Sequence, residues 1–287
     1  MAGLLSGFGK KNAEKPAQNP ANEKPAATVE EKPKEQKKIV YNEADFLFDK
    51  KYECPVCYGN FTSKTVRSGK IRAIRADKDL KPVFEQLEPI KYDVVLCPHC
   101  GYAALTRYYG GLASVQVKAI RENISNGFKA AENGNDCYTY EEALNRYKMC
   151  LANTIVKRGK TSEKAYINLK TGWLLRSMGE ALDHTAEDYE KKAGEIKEQE
   201  REYLKNALDG LIEAMQTEDY PICGMDEVTY DYLIAVLAME FEQYDVTSKL
   251  ISNILVSTSA SSRIKDKARD IKEELIVKVK EKKAGQS

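Results

Sequence analysis

The sequence predicts a mainly α-helical protein with a small β region near its front. Three observations carry this. Two short cysteine motifs stand close together, Cys54-Pro55-Val56-Cys57 and Cys97-Pro98-His99-Cys100, and no other stretch has a spacing that dictates a chemistry. From about residue 113 onward the apolar residues recur at helical intervals. Glycine and proline are few, 17 and 9 of 287 residues, while 31% of the chain is charged, a balance that favours helix.

Residues 10 to about 38 are almost wholly Lys, Glu, Pro, Ala, Asn and Gln, with Val29 the single large aliphatic. Such a stretch buries too little apolar surface to offset its ordering entropy, so residues 1–38 are expected to be a disordered tail. Leu4, Leu5 and Phe8 at its tip read as a frayed terminus, with a weak membrane or partner contact as the alternative.

A β region is expected over residues 39–112. Val66, Ile71 and Ala73 alternate with cations on either side of Ser68-Gly69, which predicts a hairpin over 64–75 with a polar face. Asp77-Lys78-Asp79 begins a loop running to Pro89, and Tyr92, Val94, Val95 and Leu96 form a short strand entering the second cysteine motif. Each CxxC turns two thiolates toward one point, and 39 residues (58 through 96) separate the pairs. Pro55 and Pro98 stiffen the turns, and Gly101 suits a positive φ. Four thiolates around one centre match a closed, structural zinc site with ligands Cys54, Cys57, Cys97 and Cys100, the layout of a zinc ribbon. A thioredoxin-like dithiol, an iron–sulfur site, or His99 replacing one sulfur are the competing readings. The first of these lacks a βαβ pattern. With four sulfurs supplied, His99 is expected beside the site rather than in it, and no position is left open for a substrate on the metal.

The helical region, residues 113–287, is expected to form a tetratricopeptide-like array of helical hairpins. Thr139-Tyr-Glu-Glu142 has the form of a capping box, and the helix it opens carries Tyr140, Leu144, Tyr147 and Leu151 on one face. Lys164 to Met178 reads as a second helix. Thr185-Ala-Glu-Asp188 offers the start of a third, over about 186–216. Residues 226–244 and 245–256 form a tight pair, and 262–283 a charged final helix. The spacing of Ala143, Tyr147 and Cys150 returns 64 residues later in Ala207, Leu211 and Ala214, roughly two tetratricopeptide periods. Tyr166, Leu169 and Trp173 fit the first-helix pattern, although Lys170 stands where a small residue is wanted. An ordinary helical bundle is the alternative.

Charge is unevenly spread. Residues 51–112 hold ten Lys/Arg and six Asp/Glu, a formal +4, and residues 113–287 hold 26 and 30, a formal −4. Neither value reaches the range that signals nucleic acid by charge alone. Lys64, Arg67, Lys70, Arg72 and Arg75, with Lys78, are nonetheless candidate contacts for phosphates or an acidic partner, with Tyr58, Phe61 and Tyr102 near enough to stack on bases. A solvated face is the plainer reading. Asp77 and Asp79 suit either a cation or a salt-bridged turn. His184 falls near a helix start, and Cys150 is expected in the core. No nucleophile–base pair, Walker-type loop or GxGxxG is present.

Seven cysteines, four of them in CxxC pairs, argue against a disulfide framework. No apolar run approaches the ~20 residues of a membrane span. The first ten residues lack a cation before their short apolar part, unlike a secretory leader. A cytoplasmic location is expected.

Tyr52-Glu-Cys-Pro-Val-Cys57, Asp77-Lys-Asp79 and Tyr92-Asp-Val-Val-Leu-Cys-Pro-His-Cys-Gly-Tyr-Ala103 together resemble the motif set of the bacterial family called domain of unknown function 2225. The resemblance covers about residues 40 to 180 and thins toward the C-terminus. It implies a cytoplasmic protein of Firmicute-type bacteria, in which a cysteine region precedes an often tetratricopeptide-like helical part. It carries the family's cysteines onto Cys54, Cys57, Cys97 and Cys100 and its Asp pair onto Asp77 and Asp79, and it transfers no catalytic role. The function expected is a non-enzymatic, zinc-binding adaptor or scaffold for a protein or peptide partner. The alternative is a nucleic-acid-binding zinc ribbon with a helical regulatory or dimerisation part.

Overall fold

The computed structural model describes residues 41–130 and 136–284. The expected disordered tail and its apolar tip lie outside the described residues. Three two-stranded antiparallel sheets come first, and seven α-helices follow among the described residues.

The first and third sheets are built alike. β1 (Leu47–Glu53) pairs with β2 (Asn60–Val66), from Leu47 opposite Val66 to Glu53 opposite Asn60. The six residues between them are the first cysteine motif. The middle hairpin joins β3 (Ala73–Ala76) to β4 (Pro82–Phe84). β5 (Val94–Leu96) then pairs with β6 (Ala103–Leu105), and the six residues closing that hairpin are the second cysteine motif.

The hairpin expected over 64–75 does not form. Val66 ends β2 against Leu47, Ser68–Lys70 is a single 3-10 turn, and Ala73 opens β3, which pairs forward with β4. The alternation around Ser68-Gly69 was real but belonged to two sheets. β1 escaped notice because only Leu47 on it is buried, so its pattern looks polar. Likewise the stretch after Asp77 is a tight hairpin turn before β4, closed by Asp77 N–H to Lys81 C=O at 2.8 Å. The short strand entering the second motif forms as expected.

The helices are α1 (Ser114–Asn123), α2 (Tyr140–Val156), α3 (Thr161–Glu180), α4 (Tyr189–Thr217), α5 (Glu227–Glu240), α6 (Tyr244–Val256) and α7 (Ser262–Ala284). The capping box at α2 is complete. Glu142 N–H donates to Thr139 Oγ1 at 3.1 Å, and Thr139 N–H donates to Glu142 Oε2 at 2.7 Å. The start signal at Thr185 is not used: its N–H and hydroxyl both turn to Asp183, and α4 begins at Tyr189. Asp226 caps α5 by accepting from Thr229 N–H at 2.8 Å. α5 is apolar almost all round and is buried from Tyr230 to Met239, as expected of a central helix.

α3 and α4 pack closely through small residues. A Cβ on Gly172 would stand 2.6 Å from Leu204, and one on Gly210 would stand 2.9 Å from Ala165. The main core gathers these helices with Ala143, Tyr147 and Cys150 of α2, and it reaches into the β region through Val94, Ala103 and Leu105. The residues of the faint repeat are therefore core residues. Lys170 bridges from α3 to Asp93 at 2.6 Å, which accounts for a long cation where a small residue was wanted. No helix among the described residues is long and apolar enough to cross a membrane.

Candidate metal centre

Each cysteine motif is a tight loop held by the same backbone bonds. Cys54 N–H donates to Gly59 C=O at 3.0 Å, and Cys97 N–H donates to Tyr102 C=O at 2.8 Å. Tyr58 N–H donates to Cys54 C=O at 2.8 Å, and Gly101 N–H to Cys97 C=O at 3.1 Å. The residue after each second cysteine takes a positive φ, +61° at Tyr58 and +73° at Gly101. Gly101 is needed twice over, since a Cβ there would also lie 2.5 Å from the Phe128 ring.

These loops face one another. The sulfurs of Cys54, Cys57, Cys97 and Cys100 all lie within 4.8 Å of one another. Cys54 Sγ is 3.6 Å from Cys100 Sγ, and Cys57 Sγ is 3.7 Å from Cys97 Sγ. Cys54, Cys97 and Cys100 are buried and Cys57 is half-buried. Val56 N–H points at Cys54 Sγ at 3.4 Å, the kind of contact that steadies a thiolate. So closely set, the thiols cannot ionise independently: the hydrogen bond from Cys100, then that from Cys97, holds the Cys54 thiol far down, at about 2, and the bond to Cys54 pushes Cys100 up. Four sulfurs so placed could hold a metal ion.

His99 lies outside the cluster of four sulfurs. It is exposed, and its Nε2–H donates to Asn60 C=O at 3.3 Å, linking the second loop to the strand after the first.

The sequence did not point to the side chains that brace the two loops. Arg121 of α1 donates through Nε to Val56 C=O at 2.9 Å, and its Nη2 also reaches that oxygen. Asn153 of α2 donates to Gly101 C=O at 2.9 Å. Each loop is thus tied by one carbonyl to a different helix. Val56, Tyr102, Ala104 and Ile120 close over the sulfurs and are essentially inaccessible to solvent. The rings of Tyr52, Phe61, Tyr102 and Tyr109 cluster alongside. Of the three rings considered for base stacking, Tyr102 is fully buried and Phe61 lies in this cluster, whereas Tyr58 is exposed beneath Arg121.

The candidate basic residues are dispersed. Lys64 pairs with Asp49 at 3.2 Å, Arg67 donates to Leu47 C=O at 3.0 Å, Lys70 reaches Asp45 C=O at 3.3 Å, and Arg75 pairs with Asp77. Among the described residues Arg72 is exposed and without such a partner. Lys78 pairs with Glu274 of α7 at 2.6 Å.

Asp77 and Asp79 have a clear place. Asp79 is buried, and its Oδ2 accepts from the indole N–H of Trp173 at 2.8 Å and pairs with Arg176 at 2.8 Å. Arg176 also meets Glu200 at 2.8 Å and lies 3.7 Å from Asp77. The pair clamps the middle hairpin to α3. Cys150 is in the core, where burial pushes its thiol up. Cys223 donates to Ser162 C=O at 3.2 Å, and Cys137 is half-buried near Tyr138. His184 sits in the turn before α4 with its ring 4.6 Å from that of Tyr189.

Neither a search of curated proteins nor one of solved structures returned a match. The profile of a bacterial family described as "Uncharacterized protein conserved in bacteria", domain of unknown function 2225, matches residues 47–275. The match runs well past the region around the cysteine motifs and through most of the helices. The chain belongs to this family, whose profile spans both cysteine loops, the Asp77/Asp79 turn and all but the end of α7.

Proposed function

We propose that the protein is a non-enzymatic scaffold whose four-cysteine centre holds a structural zinc ion and whose helices present a binding surface to a protein or peptide partner. The observation that carries this reading is the sulfur shell. With zinc–sulfur bonds of about 2.3 Å, tetrahedral sulfurs stand roughly 3.8 Å apart, close to the separations of Cys54–Cys100 and Cys57–Cys97. Four sulfurs complete a zinc tetrahedron, so the ion would serve folding rather than substrate activation. The bracing by Arg121 and Asn153 supports the same reading, because it makes the centre a junction between the loops and two helices.

The small-residue packing of α3 on α4, and the sequential packing of α5, α6 and α7, support a tetratricopeptide-like stacking of helical hairpins. On this reading residues 39–112 are the metal-bearing module and 113–287 the stacked array. The nucleic-acid alternative draws less support, since four of the five candidate cations already have partners within the chain.

Elemental analysis of purified protein tests the metal half, with one zinc per chain expected. Chelation or Cys97→Ser should release the metal and lower the unfolding midpoint. A protein without metal, or one whose stability ignores both treatments, would overturn it. Affinity purification from bacterial lysate tests the scaffold half, and the absence of any stoichiometric protein partner would count against it.

A further inference from the structure

A hollow of about 510 Å³ lies at the far end of α2 from its capping box. Three segments meet there: residues 107–112 after β6, the first turn of α1, and the turn 157–160 that joins α2 to α3. Its volume falls in the range of small-molecule sites. The walls are fixed from within. Gln116 of α1 accepts from Ala113 N–H at 3.0 Å and donates to Lys157 C=O at 3.1 Å, which ties the start of α1 to the end of α2. Glu163 is the single acid among the described lining residues, and it is taken up by the buried Lys157 at 2.7 Å.

Three cations on the hollow are left without a counter-charge. Arg107, Arg158 and Lys160 are exposed, and none makes an ion pair among the described residues. Arg107 is held in place, with Nη1 donating to Cys223 C=O at 2.8 Å and the guanidinium over the rings of Tyr108 and Tyr166. Arg158 ends α2 with a φ of +53°, a left-handed position where glycine is the ordinary residue. An arginine there carries a cost in backbone strain that no contact of its side chain within the chain offsets. The loop before α1 bares its backbone. Gly110 and Gly111 both have positive φ, +109° and +63°, and a Cβ on either would meet nothing within 4 Å. The N–H groups of Gly111 and Leu112 donate to nothing among the described residues. Residues 1–40 hold eight Lys and five Glu, so that segment brings no net counter-charge.

We propose that this hollow binds a small molecule through a phosphate group, with Arg107, Arg158 and Lys160 supplying the charge and the N–H groups of Gly111 and Leu112 supplying backbone donors. A phosphate brings about two negative charges and three strong acceptor oxygens at neutral pH, a closer match to three cations than a single carboxylate. The bare glycines let it approach the main chain. The cations considered earlier for a nucleic-acid backbone have partners within the chain, Arg72 excepted, which favours a single phosphorylated molecule over a strand. The site takes in none of the four sulfurs and does not rest on the scaffold reading.

The test is calorimetric titration of the purified full-length protein with pyrophosphate and with ADP, each against sodium chloride at equal ionic strength. At least one of the two is expected to bind saturably and to raise the unfolding midpoint. Arg158→Gly should bind roughly fivefold more weakly and yet unfold at a higher midpoint, because glycine relieves the left-handed position. Lys160→Gln should lose roughly threefold, and the double variant about tenfold or more. Arg72→Gln removes the same charge elsewhere on the surface and should change the affinity by less than about twofold. No saturable binding of either probe, wild-type affinity in both Arg158→Gly and Lys160→Gln, or an Arg72→Gln as damaging as Arg158→Gly would overturn the proposal. Tighter binding of a single-stranded dT oligonucleotide, lost in the same two variants, would overturn the small-molecule assignment in favour of a nucleic-acid backbone.

Discussion

Replacing Asp79 by alanine should loosen the middle β hairpin from α3, and the size of the effect follows from the groups left behind. Asp79 is 3% exposed and accepts from the Trp173 indole at 2.8 Å. Losing that charge-assisted bond, with the indole N–H left buried, costs about 1.5–3 kcal/mol. Arg176 also loses a partner at 2.8 Å, but it keeps Glu200, so the penalty for an orphaned buried cation applies only in part. The total should be about 3 kcal/mol, a fall of roughly 6–12 °C in the unfolding midpoint for a domain of this size. Asp79→Asn, which keeps an acceptor for the indole, should lose only about a third as much. Trp173 is the single tryptophan of the chain, so urea unfolding followed by its fluorescence reports the site directly. Circular dichroism serves the Trp173→Phe and double variants, and a coupling energy of about 1–2 kcal/mol is expected between the two positions. A loss below about 1 kcal/mol for Asp79→Ala, with the fluorescence spectrum unchanged, would refute the clamp.

Asn153→Ala removes the donor to Gly101 C=O and should destabilise by about 1–3 kcal/mol, checked by denaturant unfolding, with faster metal loss to a chelator as the second readout. Gly101→Ala meets both a positive φ and the Phe128 ring, so it should weaken metal retention more than Gly69→Ala, whose added Cβ meets nothing within 4 Å. Asp231 gives a pH prediction. Burial, and secondarily Glu227, raises its carboxyl to about 6, above the ordinary value of 3.8. The folded state therefore binds the proton more tightly than the unfolded state, and stability is lost as pH rises from about 4 through 6. Asp231→Asn should then stabilise the protein by about 1–3 kcal/mol at pH 7.5 and by almost nothing at pH 4, as thermal melts at the two pH values would show. An equal effect at both would refute it.

Short-range chemistry is what the sequence by itself determined. The CxxC pairs picked out the four cysteines whose sulfurs cluster, because two cysteines three apart share one tight loop whatever surrounds them. Thr139 with Glu142 marked a true helix start, because a cap and its N–H lie within one turn. Where two such signals competed, packing chose. Thr185 had the pattern of a cap, but its groups turned to Asp183, and the alternation around Ser68-Gly69 was divided between two sheets. Only the tertiary structure decided what surrounds the four-cysteine cluster. Trp173 meets Asp79 across 94 residues, Arg121 meets Val56 across 65, and Asn153 meets Gly101 across 52. A side chain's partner at such distances is set by which faces the buried core brings together, and neither periodicity nor spacing records that. Arg146 shows this most plainly: in the sequence it is an ordinary cation on a helix, and only the placing of Tyr138 against it makes it a buried charge.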